Sequence, residues 1–123
     1  MTFVVLGPGD RAEPGWVEAR SVGEVEELVR AGHTVVVTPA RLAAASAEDS
    51  GDAGNAGESG ESGESAARER DAEAAELTAA SICAWAGARV FRTDRVEQVR
   101  LAVEMTDSLA GRRPPALTRR GLA

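Results

Sequence analysis

Arg92, Thr93 and Asp94 directly follow a short apolar run that ends at Phe91. A continuous apolar run of this length indicates a buried strand of a parallel sheet. In α/β proteins, ligands are held beyond the C-terminal ends of such strands. An arginine at that place presents a fork of N–H donors that suits anions. The sequence therefore indicates an anion site at Arg92, with Thr93 as a second hydrogen-bonding group.

Structural roles for the same residues stay open on the sequence alone. Arg92 can instead pair with Asp94 or with Asp10. Asp94 and Glu97 fit the spacing of a capping box, and an acid at a helix N-terminus stabilises the helix by about 0.5–2 kcal/mol.

Alternating strands and helices are predicted to position these residues. Three apolar runs predict buried strands, at Thr2–Leu6, Thr34–Thr38 and Ala88–Phe91. Between and after them, the sequence predicts helices that begin at the Ser21-x-x-Glu24 capping box, at Ala40, at Ala66 and at Asp94. Alternation of this kind indicates a parallel sheet covered by helices, with the strand exits on one shared rim.

An acidic segment interrupts this pattern. Residues 46–65 are low in complexity and carry successive Gly-Glu-Ser triplets, so we expect a disordered insert. The predicted domain is residues 1–111, interrupted by this insert and followed by a basic flexible tail, 112–123. Most of the acidity behind the net charge of −6 lies in and just after the insert, with ten acidic residues and two Arg between Ser46 and Glu76.

Composition restricts the function classes. All 14 basic residues are Arg, so no lysine Schiff base is available. The single cysteine, Cys83, disfavours a disulfide or a metal cluster, and no metal or cofactor is expected. No basic stripe indicates nucleic-acid binding. No signal peptide or membrane span is visible, which predicts a cytoplasmic location without membrane contact.

The segment Leu77–Met105 resembles the last helix–strand–helix of the dihydropteroate synthase family, whose last barrel strand ends in an Arg-x-His motif. Here the motif reads Arg92-Thr93-Asp94. Ala31–Leu42 is similar to the seventh strand of that family.

The resemblance extends through the exits of the first two predicted strands. The family's seventh strand ends in Ser-Arg-Lys, and the corresponding residues here are Ala40, Arg41 and Leu42. The sixth strand ends in Asp-Pro-Gly, and Gly7 stands at the place of the Asp. The resemblance implies three parallel β/α units of a (β/α)8 TIM barrel, and a relation to a transferase of folate biosynthesis that binds a pterin pyrophosphate.

The residues that differ are those the family uses for chemistry. Gly7 replaces the pterin-binding carboxylate, Leu42 the lysine and Asp94 the histidine, so no catalytic residue is assigned. Arg92 and Arg41, with Thr93, are the implied remainder of the pyrophosphate site. The resemblance therefore implies a degenerate protein, non-catalytic alone, that acts as a partner or regulatory subunit. The alternatives are a subunit that donates an anion-binding Arg to an active site in a complex, and a ligand-free interaction module.

Association is expected because a three-stranded parallel sheet has two open edges. The partner is predicted to be a second copy of the chain or a larger barrel protein such as a full-length synthase homologue. Trp16 is assigned equally to an interface or to local packing. Trp85 is expected in the core beneath the third strand.

Overall fold

The computed structural model describes residues 3–50 and 62–111. Short β-branched runs form its strands, and alanine-rich or capped segments form its helices. In chain order the described elements are β1 (Val4–Leu6), β2 (Val17–Glu18), α1 (Val22–Arg30), β3 (Val35–Val37), α2 (Pro39–Ser50), α3 (Ser62–Ala86), β4 (Val90–Arg92) and α4 (Val96–Leu109).

The strands form one open sheet in the order β1-β4-β3-β2, and each neighbouring pair is parallel. The predicted α/β class and parallel sheet are confirmed. The order differs from that of three consecutive barrel units, because β4 rather than β3 lies in the middle of the three predicted strands. The Val17 N–H donates to the Thr34 carbonyl at 2.9 Å, so β2 occupies the outer edge of β3. β1 therefore pairs with the remaining edge of β4.

Strand β2 was not predicted. It has two residues and lies within a segment rich in Gly and Pro, so it has no apolar run to mark it. The Ala19 N–H continues the pairing by donating to the Val36 carbonyl at 2.9 Å.

The main core lies between one face of the sheet and the helices. Phe91 is fully buried there, and Phe3 meets its ring edge-on at a centroid distance of 6.4 Å. Apolar residues from three strands or strand ends and from three helices make up the buried part of this core, namely Ala19, Val25, Val35, Val37, Ala80, Cys83, Ala84, Ala88, Phe91, Val99 and Val103.

The second face of the sheet is covered by the β1–β2 connection rather than by helices. Leu6, Val36 and Val90 are buried there, and Ala12 and Trp16 of the β1–β2 connection pack against them. Because that connection runs from one edge strand to the other, it crosses this face. Trp16 therefore has a packing role within the chain.

Two helices end in the same hydrogen-bonding motif. After α1, Gly32 has φ +94°, and His33 N–H donates to the Leu28 carbonyl at 3.0 Å. After α3, Gly87 has φ +115°, and Ala88 N–H donates to the Cys83 carbonyl at 2.9 Å. Both are Schellman ends, in which glycine adopts the left-handed conformation at no steric cost.

The helix starts are confirmed in one case and corrected in another. The Ser21 hydroxyl accepts from Glu24 N–H at 3.1 Å, as the capping box predicts. The predicted Asp94 cap is wrong, because Arg95 is the N-cap of α4 and no side chain caps it. The Thr93 hydroxyl instead accepts the Arg95 N–H at 2.9 Å, which fixes the chain just before the helix.

Helices α2 and α3 extend into both ends of the predicted acidic insert, up to Ser50 and from Ser62. Residues 51–61 of that insert, and the predicted tail 112–123, lie outside the described residues. The core assignment of Trp85 is wrong, because its side chain is 59% exposed. In the described part of the chain, no helix combines the length and the apolar character that a membrane crossing needs.

Candidate functional site

A cleft of about 300 Å³ opens where three of the parallel strands end. Gly7 follows β1, Thr38 follows β3, and Thr93 follows β4, so the predicted shared rim is confirmed. The complete lining is Gly7, Pro8, Asp10, Thr38, Ala40, Glu76, Arg92, Thr93, Asp94 and Arg95.

A buried carboxylate anchors one wall of the cleft. Glu76 of α3 is 2% exposed, and its two oxygens accept from the Thr93 hydroxyl and from the Arg95 guanidinium. A buried carboxylate is tolerated only when its lone pairs are satisfied in this way. The contacts join the middle of α3 to the β4–α4 turn, so Glu76 fixes the shape of the cleft wall.

Arg95 is held between two carboxylates. Its second terminal nitrogen donates to Glu69, whose side chain is 71% exposed. The hydrogen bond to Glu76 is the main reason why the pKa of Arg95 is raised, and burial opposes it. Since both terminal nitrogens already bind carboxylates, Arg95 is not available to an anionic ligand without losing one of them.

Arg92 is the guanidinium that remains available. It is half-buried at the end of β4, beside Leu6 in the register of the sheet. Among the described residues, no ion pair or hydrogen bond engages its side chain. The alternative pairings with Asp94 and Asp10 are therefore not formed. Those two carboxylates still line the cleft, and they lower its affinity for anions.

Gly7, where the sequence resemblance expects an aspartate, lies in the loop after β1. Gly7 N–H donates to the Asp10 carboxylate at 2.8 Å, and Asp10 N–H donates back to the Gly7 carbonyl at 3.0 Å. A Cβ at Gly7 would lie 3.1 Å from Cγ2 of Val96. A side chain at position 7 would therefore require the Val96 side chain in the first turn of α4 to shift by a few tenths of an ångström.

Arg41 and Leu42 lie apart from this cleft. They line a separate depression of about 260 Å³ together with Glu18, Arg20 and other residues. Leu42, where the sequence resemblance expects a lysine, is half-buried and packs against the main core. Of the implied anion-binding residues, the structure brings Arg92 and Thr93 together and leaves Arg41 outside.

Glu76 and Arg95 are the site residues that sequence reasoning missed. They are 19 positions apart on different elements, so no local motif connects them. One signal was present: the buried positions Ala80, Cys83 and Ala84 share a helix face, and one more turn along that face reaches Glu76. A charged residue on a core-facing stripe indicates a buried ion pair.

The cleft can bind and orient small groups, and its carboxylates are those of Asp10, Glu76 and Asp94. Glu76 is committed to Thr93 and Arg95. The described residues include no group of three or more His, Cys, Asp or Glu that could hold a metal ion.

Comparisons with protein-family models, with curated proteins and with solved structures found no match to this chain.

Proposed function

We propose that this chain is a degenerate, barrel-derived relative of dihydropteroate synthase that has no activity alone and acts as a partner or regulatory subunit. The observation that carries the proposal is that the family's aspartate and lysine positions are filled by packing groups: Gly7 borders Val96, and Leu42 packs on the core. Beside them, Arg95 of the β4–α4 turn is bound by two carboxylates.

The strand order supports descent from a barrel. In a closed (β/α)8 barrel, consecutive strands are neighbours and the first strand pairs with the last. The order β2-β3-β4-β1 keeps β2, β3 and β4 as consecutive neighbours and sets the first strand beside the last, while β1 and β2 lie at opposite edges of the open sheet. The main core against α1, α3 and α4 on one face, as on the outside of a barrel wall, is consistent with it.

Kinetic measurements test the partner role. We expect the purified chain to form no product from a pterin pyrophosphate and aminobenzoate. When titrated into a full-length synthase from the same cell, it should change kcat or KM saturably and co-migrate with the enzyme on sizing. Turnover by the chain alone, or a synthase that neither binds the chain nor responds to it, would contradict the proposal.

Arg92 favours a second candidate function, the donation of an anion-binding group to an active site in a complex. Removal of a single phosphate or oxyanion contact typically costs about 100-fold in rate. Arg92→Ala should therefore lower the rate of the complex by about that factor. Arg41→Ala is the matched control, because Arg41 lies outside the cleft, and it should change little.

Charge repulsion provides an independent check of this second candidate. Asp94→Asn removes an exposed carboxylate from the cleft and should tighten pyrophosphate binding several-fold, measured by calorimetry. An unchanged affinity in both Asp94→Asn and Arg92→Ala would exclude the anion role and favour a ligand-free interaction module.

A further inference from the structure

The charged groups of the cleft at the strand ends do not all neutralise one another. Of the described side chains that line it, five are ionisable, and Glu76 and Arg95 bind each other. That leaves the Arg92 guanidinium with the carboxylates of Asp10 and Asp94. In the described part of the chain, no ion pair joins Arg92 to either of them, and no hydrogen bond engages the Asp94 side chain. A ligand that carries both charges can bridge these separated groups.

Strand geometry sets the side of the sheet on which Arg92 lies. Successive side chains of a strand point to opposite faces. The Thr93 hydroxyl binds Glu76 of α3, which lies on the helix-covered face. Arg92 is in register with Leu6, which is buried on the second face. Arg92 therefore lies on the side that the β1–β2 connection crosses, and Asp10 belongs to that connection.

Local contacts hold the charged groups in place before a ligand arrives. The Gly7 N–H donates to Oδ2 of Asp10 at 2.8 Å, which fixes that carboxylate at the start of its loop. The Thr93 hydroxyl accepts the Arg95 N–H at 2.9 Å, which fixes the turn that contains Asp94. Groups that are already ordered bind a ligand without the entropy cost of ordering them.

We propose that this cleft binds a small α-amino acid with an uncharged aliphatic side chain. The ligand's carboxylate binds the Arg92 guanidinium, whose fork of N–H donors matches two carboxylate oxygens. The ligand's ammonium group donates to the carboxylates of Asp94 and Asp10, which accept only. Its aliphatic side chain lies against Pro8 and Ala40 of the lining.

Size and charge favour this class over other ligands. Small-molecule sites have volumes of about 300–1,000 Å³, and this cleft, at about 300 Å³, suits a small metabolite. A simple anion is repelled by Asp10 and Asp94, and a simple cation by Arg92, whereas a molecule with both charges is attracted by all three. The described lining includes no aromatic ring, the group that best binds a quaternary ammonium, so a primary ammonium fits better.

Calorimetry of the full chain with L-alanine, L-valine and L-leucine tests the proposal. We expect at least one of them to bind with a Kd below about 1 mM. The two halves of the tightest binder (for leucine, 4-methylpentanoate and 3-methylbutylamine) should each bind at least ~10-fold more weakly, because each lacks one charged contact. The backbone amide signals of Gly7 and Asp94 in NMR spectra should shift on binding, which locates the ligand in the cleft.

Four variants assign the contacts. Arg92→Ala and Asp94→Asn should each weaken amino-acid binding at least ~10-fold. Arg41→Ala and Glu97→Gln are the matched controls, because they make the same charge changes outside the cleft lining, and each should alter the Kd less than about 2-fold. Circular dichroism verifies that all four variants fold. Asp94→Asn is expected to tighten pyrophosphate binding, so its opposite effects separate the two ligand classes.

Three outcomes overturn the inference. The first is that none of the three amino acids binds. The second is that either half of the tightest binder binds as well as the whole, which indicates a simple anion or cation site. The third is that Asp94→Asn leaves amino-acid binding unchanged or tightens it. All measurements use the chain alone, so their result is independent of the proposed regulatory role, which the kinetic assay with a synthase tests.

Discussion

At the scale of single residues, Arg95 determines which side chains the cleft presents to a ligand. Its contacts with Glu76 and Glu69 hold the turn that presents Arg92 and Thr93, yet the same contacts remove it from ligand binding. Its structural importance comes from Glu76, whose side chain is 3% exposed and would be costly to leave without a cation.

Arg95→Met should therefore lower the free energy of unfolding by about 2–3 kcal/mol, measured by urea denaturation. The physical reason is an uncompensated buried carboxylate. Adding Glu76→Gln to this variant removes the buried charge and should restore part of the loss.

Glu69→Gln is the control for the exposed half of the cluster. Surface ion pairs contribute little, so we expect a change below about 1 kcal/mol. If Glu69→Gln lowers the free energy of unfolding as much as Arg95→Met does, the contact of Arg95 with the buried Glu76 is not the main stabilising one.

Cys83 gives a prediction about pH. Its burial raises the pKa of the thiol from 9.0 to about 11. Between these values the unfolded chain loses the proton while the folded chain keeps it. The free energy of unfolding should thus fall as pH rises from about 9 to about 11, by up to about 1.4 kcal/mol per pH unit.

Cys83→Ala separates this effect from other titrations. The variant should lose stability at every pH through the missing sulfur, but the decline between pH 9 and 11 should become shallower. An identical slope in both proteins would show that Cys83 is not the group responsible.

At the scale of elements, one glycine allows α3 to pack tightly on α1. A Cβ added at Gly87 would lie 2.9 Å from Cγ1 of Val29, whereas one added at Gly32 would meet nothing within 4 Å. Both glycines have positive φ, so both substitutions carry the same backbone cost of about 1 kcal/mol.

Gly87→Ala should therefore destabilise the fold more than Gly32→Ala, by about a further 1–3 kcal/mol for the steric overlap with Val29. Thermal unfolding of the two variants measures the difference. Equal melting temperatures would mean that α1 moves away from α3 without cost.

Elements with a local signal were predictable, and contacts between distant elements were not. Ser21 with Glu24, and Gly32 with its following residues, carry their structure within a few positions. β2 was missed because two residues without an apolar run form a strand only when the edge of β3 is available. The capping prediction for Asp94 was wrong because Thr93 binds the Arg95 N–H instead.

At the scale of the whole molecule, the two faces of the sheet are protected unequally. Helices cover one face, while the buried residues Leu6, Val36 and Val90 of the other rely on the β1–β2 connection. The strand exits and their cleft lie where this connection begins, at Gly7. Stability of the sheet and shape of the cleft therefore depend on the same loop.

The two tryptophans test this arrangement. Trp16 packs on the second sheet face, so Trp16→Ala should cost about 2–3 kcal/mol, less than the 3–5 kcal/mol typical of a buried tryptophan because it is only half-buried. Trp85→Ala is the matched control and should cost below about 1 kcal/mol, since that side chain is 59% exposed. Urea denaturation followed by circular dichroism measures both. The reverse ranking would mean that the connection does not hold the second face and that α3 contributes more through its surface than its burial indicates.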